Sequence, residues 1–183
     1  MKTLVLVFHP DMSASRANRS LAAKAETLSG DVTVRYVYDL YPDQKVDVAT
    51  EQAALEAADR VVLQFPMYWY STPALLKQWE DDVLLYGWAY GSTGNALAGK
   101  ELLVAVSTGG AGDAYSRESS YGYTITELLR PLQATANMVQ MTYLEPFTTT
   151  GTLTITDEAL AQQVEDYAAT LASKDLPVLE PHG

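Results

Sequence analysis

Arg60-Val61-Val62-Leu63-Gln64-Phe65-Pro66-Met67-Tyr68-Trp69-Tyr70-Ser71-Thr72-Pro73 decides how the rest of the chain is read. An apolar strand, Arg60 to Leu63, runs into three consecutive aromatics, and a helix expected from Pro73 to about Leu84 runs out of them. In an α/β sheet the loop from a strand into a helix lies at the carboxyl edge, where such sheets bind ligands. Aromatic rings carry a large apolar surface and prefer offset stacking against other flat π-systems. The loop from Met67 to Tyr70 is therefore a candidate wall for a flat, partly polar ring. An aromatic loop packed on its neighbours or on another subunit is the plainer alternative.

Outward from this stretch the same unit recurs. Leu4 to Phe8 and Leu102 to Val106 are continuous apolar runs, the pattern of strands covered on both faces. Val32 to Tyr38 is rich in β-branched and aromatic residues, and Met138 to Phe147 reads as the last strand. Helices are expected with apolar faces at Ala17, Leu21, Ala25 and Leu28, ended by Gly30, and from an N-cap at Thr50 to Ala58. A third, capped by Thr72 with Pro73 at its first position, buries Leu75, Leu76, Trp79 and Val83. A fourth carries Ile125, Leu128, Leu129 and Leu132 with a bend at Pro131, and a fifth starts at Thr156. The alternation βαβαβαβαβα predicts an α/β fold with a doubly wound, five-stranded parallel sheet. Strand order 2-1-3-4-5 is the flavodoxin-like arrangement of such a sheet. One domain over residues 1–174 is expected, with a loosely held tail, 175–183.

The totals exclude whole classes. The net charge of −11 argues against nucleic acid and against electrostatic docking on anionic lipid, both of which need Lys and Arg. With no cysteine there is no disulfide, thiolate nucleophile or cysteine-held metal. There are two histidines, and His182 is in the tail, so a histidine-based metal site or a Ser-His-Asp triad would have to use His9. No metal site is expected. No apolar run reaches the ~18 residues of a membrane span and no signal-peptide pattern is visible, so a cytoplasmic protein is expected.

In a 2-1-3-4-5 sheet, strands 1, 3 and 4 are neighbours, and the loops leaving them meet. The first loop ends in Ser13, Ser15, Arg16, Ala17, Asn18 and Arg19 at a helix start, where free N–H groups and the helix dipole favour an anion. Plain N-capping by a serine is the alternative. His9 could donate to a phosphate oxygen or be a satisfied structural group. The third loop, Ser107-Thr108-Gly109-Gly110, lets backbone N–H groups approach a ligand, or else is a tight turn needing positive φ. An anion hook, an aromatic wall and a glycine edge together suit a phosphate-tailed flat ring with carbonyl oxygens, and FMN is the natural candidate. No Gly-x-Gly-x-x-Gly or Walker A motif is present.

The run from Phe65 to Trp79 also closely resembles the flavin loop and following helix of NAD(P)H:quinone oxidoreductases. So do His9-Pro10, Gly87-Trp88-Ala89-Tyr90-Gly91, Ser107-Thr108-Gly109-Gly110 and Pro131-Leu132-Gln133-Ala134-Thr135. The short bacterial branch is most similar, in particular the quinone reductase that is an ancillary subunit of glutathione-regulated potassium-efflux systems. The resemblance implies a flavodoxin-like fold, FMN or FAD, and a homodimer with its active site at the interface. The short chain favours FMN over FAD. By motif, His9 and Ser15 to Asn18 would hold the phosphate end. Met67, Tyr68, Trp69 and Tyr70 would line the isoalloxazine, and Ser107, Thr108, Gly109 and Gly110 its pyrimidine edge. Tyr115 matches a catalytic tyrosine; Tyr121 stands six residues on, where longer members have His. A phenol can donate a hydrogen bond to developing negative charge but does not readily carry a positive one.

The expected function is two-electron, ping-pong transfer of hydride from NAD(P)H through FMN to a quinone-like acceptor. The rival readings are a non-enzymatic, flavodoxin-type electron carrier and a regulatory ancillary subunit of a potassium-efflux transporter. The last would place the protein peripherally on the inner face of the membrane.

Overall fold

The computed structural model describes residues 1–28 and 30–180. Its sheet has the order β2-β1-β3-β4-β5, all pairs parallel, as the sequence predicts. Strands β1 (Thr3–Val7), β3 (Arg60–Pro66) and β4 (Glu101–Ser107) form its centre, and β2 (Val32–Tyr36) is an edge. Because side chains alternate faces along a strand, the continuous apolar runs feed two cores. Leu6, Leu63 and Val104 point to the face packed by Leu55, Leu76, Trp79 and Leu132. Val5, Val62 and Leu103 point to the other, packed by Leu21, Ala25, Tyr167 and Leu171.

Helix α1 (Arg16–Glu26) starts at a Ser15 cap and ends before Gly30, with Thr27 at its C-cap. A short helix α2 (Val37–Leu40) takes the last two residues expected for the second strand. Helix α3 (Val48–Ala57) is capped by Asp47, not Thr50; the Asp47 carboxylate accepts the Thr50 N–H, and an Asp earlier in the loop outcompetes the hydroxyl. Helix α4 (Ala74–Val83) starts one residue late, with Pro73 rather than Thr72 at the cap position. The Leu75 N–H instead donates to the Tyr38 hydroxyl at 3.2 Å. Its expected stripe, Leu75, Leu76, Trp79 and Val83, is buried.

Two expectations are corrected by proline. The helix around Pro131 is broken into α5 (Ile125–Leu128) and α6 (Arg130–Met138), because Pro131 has no N–H to give the preceding turn and starts a new helix instead. The last strand is split into β5 (Thr142–Tyr143) and β6 (Phe147–Thr149), both on β4. Pro146 lies in the gap, where it cannot donate to a ladder. Helix α7 (Asp157–Ala172), capped by Thr156, closes the second face. The segment expected to be loosely held is hydrogen-bonded as far as it is described. The Glu145 N–H donates to Pro177 O at 2.8 Å, the Leu179 N–H to Tyr143 O at 3.0 Å, and Gln133 Nε2 to Leu179 O at 2.8 Å. His182, with residues 181 and 183, lies outside the described residues. Among the described residues no helix is long and apolar enough to cross a membrane, and no group of acidic residues and histidines could hold a metal ion.

Candidate active site

The loops after β1, β3 and β4 do meet. They line one open cleft of about 270 Å³, bounded by His9, Ser15, Ala17, Met67, Tyr68 and Gly109 among others.

The floor at the α1 end is the turn expected from sequence to hold an anion, hereafter the anion turn. Asp11 opens it as an acceptor: its carboxylate takes the Ser13 N–H and hydroxyl, which hold the Asp11 carboxyl below its usual range. The Ser15 hydroxyl oxygen caps α1 by accepting the Asn18 N–H at 3.1 Å. The first-turn N–H groups of Arg16 and Ala17 have no acceptor among the described residues. His9 Nδ1 accepts the Asp11 N–H at 3.1 Å, and burial lowers the His9 pKa. A neutral imidazole accepting at Nδ1 carries its proton on Nε2, as a donor.

The two arginines of the turn are engaged elsewhere. Arg16 donates to Asp157 at 2.8 Å and to Ile155 O, tying α1 to the start of α7. Arg19 donates to Ser13 O at 3.1 Å. Arg117, in the loop after β4, donates to Glu127 at 2.8 Å. What the turn offers an anion is therefore backbone N–H groups, the α1 dipole, hydroxyls and one neutral imidazole, rather than a cation cluster.

The wall is the aromatic turn. Tyr68 and Ser71 exchange two backbone hydrogen bonds of 3.0 Å, closing a two-residue loop around Trp69 (φ 48°) and Tyr70 (φ 63°). Two positive φ values make this a type I′ turn, normally reserved for Asn and Gly. Holding it with bulky residues costs of order 1–3 kcal/mol each. The strain leaves the Trp69 and Tyr70 N–H groups without an acceptor among the described residues, and Trp69 is 93% exposed. Tyr70 meets Tyr121 edge-on at 5.7 Å between centroids, and Tyr121 meets Tyr115 at 5.2 Å. Both candidate catalytic phenols thus stand beside the aromatic wall.

The far edge is Ser107 to Gly110. Neither glycine has positive φ, so the tight-turn alternative does not explain them. At Gly109 close approach does: a Cβ there would lie 3.2 Å from Leu153. A Cβ on Gly110 would touch Tyr115 and Tyr121 at 3.4 Å, an ordinary contact. Their N–H groups have no acceptor among the described residues. Thr108 is turned the other way, its N–H donating to Thr149 O at 3.0 Å and its hydroxyl to Gly110 O at 2.9 Å.

Three residues that matter here were not singled out from sequence as site residues. Gln64, fully buried, spends both ends of its amide beneath the cleft, on Asn18 and on Tyr167. A glutamine inside an apolar strand run is the signal for it. Thr152 and Leu153 line the cleft from the loop after β6, which donates to the Thr108 carbonyl from the Thr152 N–H at 3.0 Å. The expected single last strand hid that loop. Asn18, read as a phosphate ligand, is 2% exposed, and its side chain donates to the Ser107 hydroxyl oxygen at 2.8 Å.

The donor set fits FMN: unpaired helix-start N–H groups for a phosphate, unpaired glycine N–H groups for carbonyl oxygens, and an apolar aromatic wall between. Comparisons with known proteins point the same way. The family model for the flavodoxin-like fold matches residues 1–171. The chain is 48% identical over 170 residues to an uncharacterised NAD(P)H oxidoreductase, YrkL, of Bacillus subtilis, covering 91% of this chain and 97% of that one. It is 46% identical over 168 residues to KefF, the glutathione-regulated potassium-efflux system ancillary protein of Klebsiella pneumoniae, covering 92% and 93%. Among solved structures, general stress protein 14 of Treponema denticola in complex with FMN superposes with TM-score 0.88 at 38% identity, covering 93% and 98%. An NADPH-quinone reductase from P. pentosaceus superposes at 0.86 and 37%, covering 96% and 99%. The chain belongs to the flavodoxin-like family that includes these NAD(P)H oxidoreductases and quinone reductases.

Proposed function

We propose that the protein is an FMN-dependent NAD(P)H oxidoreductase acting on a quinone-like acceptor. One observation carries the reading. Three sets of unpaired donors, on Arg16 and Ala17, on Trp69 and Tyr70, and on Gly109 and Gly110, belong to the three loops that share one cleft. Bound FMN would supply two-electron hydride exchange between a nicotinamide and the acceptor. The protein's part is positional and electrostatic. The α1 N–H groups and the His9 Nε2 proton hold the phosphate. The strained turn aims the Trp69 and Tyr70 N–H groups, and Gly109 and Gly110 aim theirs, at the edges of the ring. Tyr115 and Tyr121 each bring a phenolic donor for developing negative charge.

A nicotinamide and a quinone using the same face in turn predict ping-pong kinetics. Initial rates with NADPH varied at several fixed menadione concentrations should give parallel double-reciprocal lines; lines that intersect would contradict the shared face.

The exposed Trp69, Tyr70 and Tyr121 beside the cleft favour a second copy as cover, hence a homodimer. Light scattering on the eluting protein should give about twice the 20.0 kDa chain mass, and a monomer mass would reject it. The likeness to KefF favours a second role as ancillary subunit of a potassium-efflux transporter, tested by co-purification with that transporter's cytoplasmic domain.

A further inference from the structure

Beneath the cleft, four polar side chains form one chain through the core. The Tyr167 hydroxyl on α7 donates to Gln64 Oε1 on β3 at 3.1 Å. Gln64 Nε2 donates to Asn18 O on α1 at 2.9 Å and lies 3.4 Å from Asn18 Oδ1. Asn18 Nδ2 donates to Ser107 Oγ on β4 at 2.8 Å. Every member is at least 95% buried.

The direction of this chain is forced from its buried end. Tyr167 is fully buried in an apolar face, which pushes its pKa up and keeps the phenol a donor. Gln64 therefore presents its carbonyl to Tyr167 and its amide nitrogen to Asn18, whose backbone carbonyl can only accept and fixes the same orientation. An amide nitrogen donates only, so the Asn18 carbonyl groups accept and the Asn18 nitrogen faces Ser107. Ser107 Oγ accepts in turn. Its own proton is left over, with no acceptor among the described residues, and Ser107 lines the cleft.

We propose that Tyr167, Gln64 and Asn18 are positioning residues that hold the Ser107 hydroxyl as a donor into the cleft, toward an acceptor oxygen of the bound flavin. The proposal rests on the flavin reading. The phenol and the Asn18 backbone carbonyl together fix the Gln64 amide. Without the Gln64 amide nitrogen, Asn18 can turn over, and Ser107 then faces an Asn18 carbonyl and spends its proton there.

The test is a double-mutant cycle read by flavin fluorescence on titration with FMN, using the full chain. The proteins are wild type, Tyr167→Phe, Gln64→Met, Ser107→Ala, and each of the first two variants combined with Ser107→Ala. Wild type should bind FMN. Ser107→Ala should weaken binding about tenfold, Gln64→Met about fivefold and Tyr167→Phe about twofold. In the Ser107→Ala background, Tyr167→Phe and Gln64→Met should weaken it no further. Wild type that binds FMN, with effects that multiply across the two sites, would overturn the brace and leave the flavin reading standing. Wild type that fails to bind FMN would overturn both. If Tyr167→Phe and Gln64→Met both lose their circular dichroism signature, the four groups are core structure alone and the proposal fails.

Discussion

The anion turn and the aromatic turn face the same cleft and are built in opposite ways. The anion turn has ordinary backbone, a capped helix and a buried floor whose amides and hydroxyls pair with one another. The aromatic turn is held at two positive φ values, exposes Trp69 almost completely, and is closed by the paired bonds of Tyr68 and Ser71. The first is a preset socket whose geometry comes from the core. The second stores strain that an alternative sequence would relieve, and such strain persists where the surrounding structure enforces it, often at sites of function. On the proposed function, a rigid grip on a tail and a strained face against a ring would divide binding from chemistry.

The largest effect is expected at the socket. Replacing Gln64 with Leu leaves the Tyr167 hydroxyl and Asn18 Oδ1 without their buried partner. At ~1–3 kcal/mol for each orphaned group, urea unfolding should show a loss of roughly 3 kcal/mol. A loss below about 0.5 kcal/mol would mean the floor is not the rigid part.

Next comes α4, the helix that leaves the aromatic turn. Glu80 is pushed up to about 7, first by burial and then by Asp81, with Lys77 opposing. A carboxyl raised above its unfolded value binds more protons in the folded state, so stability falls as pH rises from about 4.5 to about 7 and then levels. Glu80→Gln should remove that slope and stabilise the protein by roughly 1–3 kcal/mol at pH 8, read by unfolding at a series of pH values.

Smaller, and opposite in sign to the socket, is the effect at the aromatic turn. The pair Trp69→Asn and Tyr70→Gly suits a type I′ turn and should raise stability by about 1–2 kcal/mol while lowering NADPH turnover. A destabilised double variant would show that the rings, not the strain, dominate. Smallest is Ser15→Ala, which removes the α1 cap and should cost about 1 kcal/mol in the same unfolding assay.

The socket and the wall were unequally legible in the sequence. Continuous apolar runs at Leu4, Val61 and Leu102 announced central parallel strands, and topology alone then brought the three loops together. The α4 stripe was legible because helix periodicity is strong over ten residues. Pro146 broke a strand that the apolar pattern carried straight through, and Pro131, expected only to bend its helix, broke it, since one missing N–H leaves the apolar pattern intact. Hidden with the broken strand was the loop bearing Leu153. Arg16 and Asn18 were read by chemical type as anion ligands. Type does not reveal that Asp157 and Ser107, distant in sequence, take their side chains. The positive φ values at Trp69 and Tyr70 were invisible for a related reason: neither residue favours that turn, so only the fold imposes it.

The account depends most on FMN lying between these two turns. Purified protein reconstituted with FMN and desalted should stay yellow, with one flavin per chain. Under nitrogen, NADPH or NADH should bleach that colour, and a quinone should restore it. Protein that emerges colourless from desalting, with free FMN unchanged in fluorescence on titration, would contradict it.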